Sequence, residues 1–184
     1  MKKIWTILIL VLIAADVFAF LYWFRWRKEA RIDRYVQAAA SAYDVRPSLI
    51  KAIIWRESRF NIAARGGAGE IGLMQIRDLA AQEWATAEDI YPFHHENIIH
   101  PGTNTLAGTW YIRKLMERYK HTDNCLPYAL ADYNAGRSNV LKWMKGKATT
   151  NSVVFTAQIG FPSTHDYVQS VSRKYAEYFE EMQK

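Results

Sequence analysis

Glu57 is the residue best placed to move a proton. It lies near the end of the run Leu49 to Phe60, LIKAIIWRESRF, in which Leu49, Ile50, Ile53 and Ile54 recur at helical spacing. Ala52 and Trp55 fit the same helix, and Pro47 suits its first turn, where a missing N–H costs nothing. A carboxyl group at the edge of an apolar core has its pKa raised by desolvation, and a raised pKa suits a general acid. On this stretch alone the ordinary reading is a solvated glutamate flanked by Arg56 and Arg59. Other candidates carry less. His94, His95 and His100 match no ligand spacing, so they read as solvated loop histidines rather than a metal site. Cys125 is the one cysteine, which permits neither an internal disulfide nor a cysteine metal site. Gly66, Gly67, Gly69 and Gly72 mark an irregular loop. The sequence G-x-x-x-x-G-K-S/T is missing and no strand precedes the loop, so a phosphate cradle is rejected. Neither a metal nor a cofactor is expected.

These residues need positioning elements. Residues 30–43 carry Ile32, Tyr35, Val36, Ala39, Ala40 and Tyr43 on one helical face. Asp44 to Pro47 breaks that helix before the Glu57 helix begins. Asp78 is read as the cap of a helix to about Thr86, and residues 89–101 as a loop. Residues 102–119 form a helix with Leu106, Trp110, Ile112, Leu115, Met116 and Tyr119 mostly inward. Gly108 within it implies close packing. A short helix over 127–133 is read as ending at Asn134-Ala135-Gly136, and another runs from a Ser138 cap to about Lys145. Residues 147–162 read as irregular. A last amphipathic helix starts at Ser163 or Thr164 and buries Tyr167, Val168, Val171, Tyr175, Tyr178 and Phe179. No convincing strand pair is found, so the fold class is mainly α.

The N-terminus is of another kind. From Ile4 to Phe24 only Asp16 interrupts the apolar run, a length that spans a bilayer as a helix. Trp5 at one end and Tyr22, Trp23 and Trp26 at the other fit aromatic belts. A signal peptide cleaved after Val17-Phe18-Ala19 is the competing reading, but the run continues through Phe20 to Phe24, which favours retention. Lys2 and Lys3 on one flank face Arg25, Arg27, Lys28 and Arg31 on the other, so charge does not set the orientation. No cysteine follows the run, which excludes a lipoprotein anchor. The formal net charge is +6, yet residues 1–32 carry +4 of it. The rest of the chain therefore lacks a nucleic-acid signature.

Three pieces now stand in order: Glu57-Ser58, Gly72-Leu73-Met74-Gln75-Ile76 and Ala131-Asp132-Tyr133-Asn134-Ala135-Gly136. With Tyr43-x-Val45-x-Pro47, Asn104-x-x-x-Gly108, Pro162 and Tyr167-Val168, the chain over roughly residues 35–180 resembles the catalytic domain of the lytic transglycosylases. The resemblance implies a lysozyme-like helical domain over 33–184, behind an N-terminal transmembrane anchor or signal peptide and juxtamembrane segment over 1–32. It implies cleavage of the β-1,4 bond between N-acetylmuramic acid and N-acetylglucosamine in peptidoglycan, leaving a 1,6-anhydro end. It makes Glu57 the single catalytic acid/base, and Ser58, Met74, Gln75, Tyr133, Asn134 and Tyr167 the residues around the glycan strand. The expected place is a bacterial cytoplasmic membrane, single-pass, with the catalytic domain on its outer side.

The chemistry agrees with that resemblance. Most glycosidases need two carboxylates, but where the sugar's own N-acetyl oxygen attacks C1 one glutamate acts twice. Its neighbours are then neutral donors, for which Gln75, Tyr133 and Asn134 qualify. Two features depart from the family. Ser163-Thr164-His165 stands where Glu-Thr-Arg is usual, and Glu70 stands where a small or basic residue is usual. Glu70 is expected to be a rim residue in water. Were it or Asp132 to assist at the site, a water-using muramidase would follow. A non-catalytic envelope scaffold is the remaining alternative, and the intact Glu57 argues against it.

Overall fold

The computed structural model describes residues 2–183. Met1, Lys184 and the side chains of Lys2, Lys3, Thr6, Leu8, Phe24, Arg25 and Trp26, among them some of the flanking charges and one member of an aromatic belt read above, lie outside the described residues. The chain divides into two compact units, the first ending at Arg34 and the second beginning at Tyr35.

The first unit is helical and belongs to α1 (Lys2–Tyr43). It contains a stretch long and apolar enough to cross a membrane. Its Ile4, Trp5, Leu12, Phe18 and Phe20 side chains are all exposed, an apolar surface that water disfavours.

The second unit holds the last turns of α1 and seven more helices: α2 (Pro47–Ser58), α3 (Asp78–Ala87), α4 (Pro101–Arg118), α5 (Cys125–Ala135), α6 (Arg137–Trp143), α7 (Ser152–Ala157) and α8 (Pro162–Glu181). Among the described residues β-structure is limited to isolated bridges, Arg65 with Ile71 and Ile71 with Ile76. The mainly α expectation holds.

α2 starts on Pro47 and stops at Arg59, whose left-handed backbone (φ 51°, ψ 39°) returns its N–H to the Trp55 carbonyl. Its Leu49, Ile50, Ile53 and Ile54 are buried, each contributing about 2 kcal/mol of burial. α8 packs against both α2 and α5, and α4 against α5. Tyr128 stacks on Phe155 at 4.0 Å, which ties α7 to α5.

Several boundaries differ from the sequence expectation. Arg77, not Asp78, is the cap position of α3, and Asp78 is its first residue. A short 3-10 turn (His95–Ile99) sits inside the predicted loop, and α4 begins at Pro101. α5 runs past Asn134 because the chain turns only at Gly136, whose φ of +81° ends it. Ser138 lies within α6 rather than capping it. α7 occupies part of the segment read as irregular, capped by Asn151 Oδ1 accepting from the Val154 N–H at 2.9 Å. α8 begins at Pro162. Gly108 is needed as expected, since a Cβ there would collide with the Met74 side chain.

Candidate active site

Glu57 sits in the last turn of α2, facing a cavity of about 410 Å³. Glu70, Gln75, Ile76, Arg77, Leu79, Ala80, Tyr111 and the run from Asp132 to Gly136 line it with Glu57. Burial pushes the Glu57 pKa from 4.5 up to about 7. A hydrogen bond from Tyr167 and the charge of Arg56 pull it down, and the charge of Glu70 adds to the rise. Tyr167 reaches in from α8, and its hydroxyl donates to Glu57 Oε1 at 2.6 Å. Burial, with the nearby Glu57 charge, holds the Tyr167 and Tyr133 hydroxyls well above the ordinary tyrosine pKa, so both stay protonated.

The Gly72–Ile76 turn is built around Asn104 of α4. Asn104 accepts from the Met74 N–H at 2.7 Å and donates to the Ile71 and Ile98 carbonyls at 2.7 and 3.0 Å. Gly72 is required there, because its φ is +80° and a Cβ would collide with the Asn104 amide. Gln75 holds a left-handed backbone (φ 48°), and its side-chain Nε2 donates to the Gly72 carbonyl at 2.9 Å. A strained non-glycine residue of this sort is typical of functional turns.

The other residues named from the sequence fall in different environments. The Met74 side chain is fully buried against Gly108, and its carbonyl accepts from the Tyr133 hydroxyl at 2.7 Å. Ser58 is buried, and its hydroxyl donates to the Ile54 carbonyl at 3.1 Å. Asn134 is exposed at the cavity edge, its Oδ1 accepting from Thr164 at 2.8 Å.

Glu70 is not the solvated rim residue expected. Its side chain is only 18% exposed, and it accepts from Arg77 Nε and Nη2 at 2.8 and 2.5 Å and from the Ala68 N–H at 2.9 Å. Burial alone would raise its pKa. The Arg77 hydrogen bond, the backbone N–H groups and the Arg77 charge outweigh that and hold it below the usual carboxylate value. Asp132 is 2% exposed and accepts from Arg118 Nη1 at 2.6 Å and the Tyr119 hydroxyl at 2.7 Å. His95 Nε2 lies 3.0 Å from the Ile76 carbonyl, and His100 meets Tyr35 edge-on.

Tyr111, Arg77 and Thr164 carry no motif that points to the site. Tyr111 lies on α4, and its ring tilts against Tyr133 at 5.6 Å and lines the cavity.

Residues 34–155 match the model of the Transglycosylase SLT domain. The chain is 31% identical over 130 residues to the soluble lytic murein transglycosylase of Salmonella typhimurium, covering 70% of this chain and 20% of that protein. It is 30% identical over 123 residues to the membrane-bound lytic murein transglycosylase F of Desulfosudis oleivorans, covering 64% of this chain and 25% of that one. The chain thus spans a quarter or less of these two relatives. Among solved structures, an inactive mutant of the lytic transglycosylase Slt from Pseudomonas aeruginosa superposes with a TM-score of 0.74 at 27% identity, over 82% of this chain and 24% of that one.

Proposed function

Because this chain belongs to the Transglycosylase SLT domain family, we propose that it is a peptidoglycan lytic transglycosylase. It cleaves the β-1,4 bond between N-acetylmuramic acid and N-acetylglucosamine and leaves a 1,6-anhydro end on the muramic acid. The observation that carries this reading is Glu57, a carboxyl group with a pKa of about 7 in a cavity, whose hydrogen-bond partner is a neutral phenol. Such a group is largely protonated below pH 7 and can give its proton to the glycosidic oxygen. The sugar's N-acetyl oxygen then bonds to C1 as the C1–O bond breaks. The Glu57 carboxylate next takes the proton from the C6 hydroxyl, whose oxygen displaces the acetamide from C1. One glutamate serves both steps, and neither water nor a second carboxylate is consumed.

Gln75, Tyr133, Asn134 and Tyr167 are proposed to surround the sugar, with Ser58 and Met74 supporting from behind. The test is mass spectrometry of the products from purified sacculi: anhydro ends lack the one water that hydrolysis adds. A second reading, a muramidase, draws on the ionised Glu70 in the same cavity. Products carrying reducing ends would establish it in place of the first.

The domain is further proposed to be held at the outer side of the cytoplasmic membrane by a single span within residues 4–24. The exposed apolar surface of that segment and a membrane-bound relative support this. Retention in the membrane after salt and alkaline washing is expected. Release of a soluble form starting near Phe20 would make the segment a signal peptide.

A further inference from the structure

Asp16 stands alone in an apolar segment. From Ile4 to Phe24 it is the one strongly polar side chain, twelve residues after the first of these and eight before the last. At a rise of about 1.5 Å per residue, a helix over that stretch fills a hydrocarbon layer of about 30 Å and puts Asp16 about 12 Å from its nearer surface. Its side chain, one methylene long, cannot reach water from that depth as the long stem of lysine or arginine can. The carboxyl group is exposed on α1 and makes no hydrogen bond or ion pair among the described residues. A carboxyl group in hydrocarbon is costly, and those found in membrane helices face a polar partner.

We propose that Asp16 is the contact point of a parallel pair of these segments, the partner being a second copy of this chain. The inference rests on the proposed membrane span. A foreign helix needs a polar group at the same depth, whereas a second copy inserted the same way brings its own Asp16 there. A carboxyl group accepts hydrogen bonds and, with its proton, donates one, so two facing carboxyl groups satisfy each other. No cation is required, and residues 4–24 hold no Lys, Arg or His. Ala19, three residues on and so on the same face, gives the two backbones room to approach, as small residues do between membrane helices. Leu12, Asp16, Ala19 and Trp23 recur at intervals of four and three, the spacing of a left-handed helix pair, in which one polar residue in the seam fixes the register.

The test uses the full chain in vesicles of phosphatidylethanolamine and phosphatidylglycerol. Its one cysteine is removed by Cys125→Ser, and a new one is placed at either of two alanines. At about 100° per residue Ala19 shares the Asp16 face and Ala14 lies opposite. Oxidation is expected to join Ala19→Cys chains into a disulfide dimer and to leave Ala14→Cys chains monomeric. Adding Asp16→Leu should lower dimer formation by about tenfold, while Asp16→Asn, which still donates and accepts, should stay within about twofold. Monomeric Ala19→Cys chains, equal joining at both alanines, or an Asp16→Leu chain that dimerises like its parent each overturn the proposal. In native membranes, a photo-crosslinker at residue 19 that captures another protein in place of a second copy overturns it too. If a cysteine variant does not insert, the mass of the unaltered chain in neutral detergent micelles decides: a dimer that Asp16→Leu abolishes supports the proposal, and a monomer overturns it. A wild-type chain released by alkaline washing overturns the membrane span and this inference with it, whereas a retained but monomeric chain overturns this inference alone.

Discussion

Glu57 and Glu70 line one cavity, Glu57 from the last turn of a helix and Glu70 from a glycine-rich loop, and their carboxyl groups are driven in opposite directions. Both lose water, which raises a carboxyl pKa. What differs is the replacement for that water. Glu57 receives one hydrogen bond from a neutral phenol, whereas Glu70 receives a guanidinium and a backbone N–H. Burial alone therefore does not make an acid; burial without a bonded cation does. The loop adds a second effect, because an ionised Glu70 makes ionising Glu57 harder.

The largest effect expected follows from replacing the protonated member. Glu57→Gln keeps the shape and removes the transferable proton, so glycan cleavage should fall by at least 10²–10⁴-fold, the usual worth of general acid catalysis. Stability should change in the other direction. The folded carboxyl holds its proton to about pH 7 and the unfolded one only to about 4.5, so the penalty for ionising it in the fold is absent below 4.5. It grows between those values and is complete above 7. Glu57→Gln should match wild type at pH 4 and be more stable at pH 8, by up to about 3 kcal/mol. Denaturant titration at the two pH values measures this, and a variant less stable at pH 8 would contradict the picture of a buried acid without a cation.

The same contrast shows what a sequence makes legible. The desolvation of Glu57 is readable because Leu49, Ile50, Ile53 and Ile54 repeat at helical spacing, and that pattern reports burial. The mainly α fold follows from several such patterns. The Glu70 environment is not readable, because Arg77 returns to it across a turn set by Gly72 and by the unusual backbone of Gln75, with no periodicity to announce it. Asn134 reads as a helix-ending residue because asparagine favours that place, but its amide is bound by Thr164, thirty residues on. α7 is short, with one signal, the Asn151 cap, too local to outweigh the polar residues around it.

The smallest effect, and the one that separates the two readings of the cavity, concerns the ionised member. Glu70→Gln removes a charge and keeps the shape, and Arg77, whose side chain is 63% exposed, can turn to water. If the acetamide is the nucleophile, a second carboxylate does no bonding, and cleavage at pH 5 should change by less than about tenfold, under about 1.4 kcal/mol. The pH profile should still move. With the like charge gone, Glu57 gives up its proton more readily, so the fall in kcat/KM with rising pH should begin at lower pH than in wild type. An unmoved midpoint would mean that the two carboxyl groups do not sense each other across the cavity. A loss as complete as that of Glu57→Gln, with reducing ends in the wild-type products, would mean instead that Glu70 acts on the sugar itself. The chain would then be a two-carboxylate muramidase, and the salt bridge to Arg77 would be the device that keeps its second carboxylate ionised.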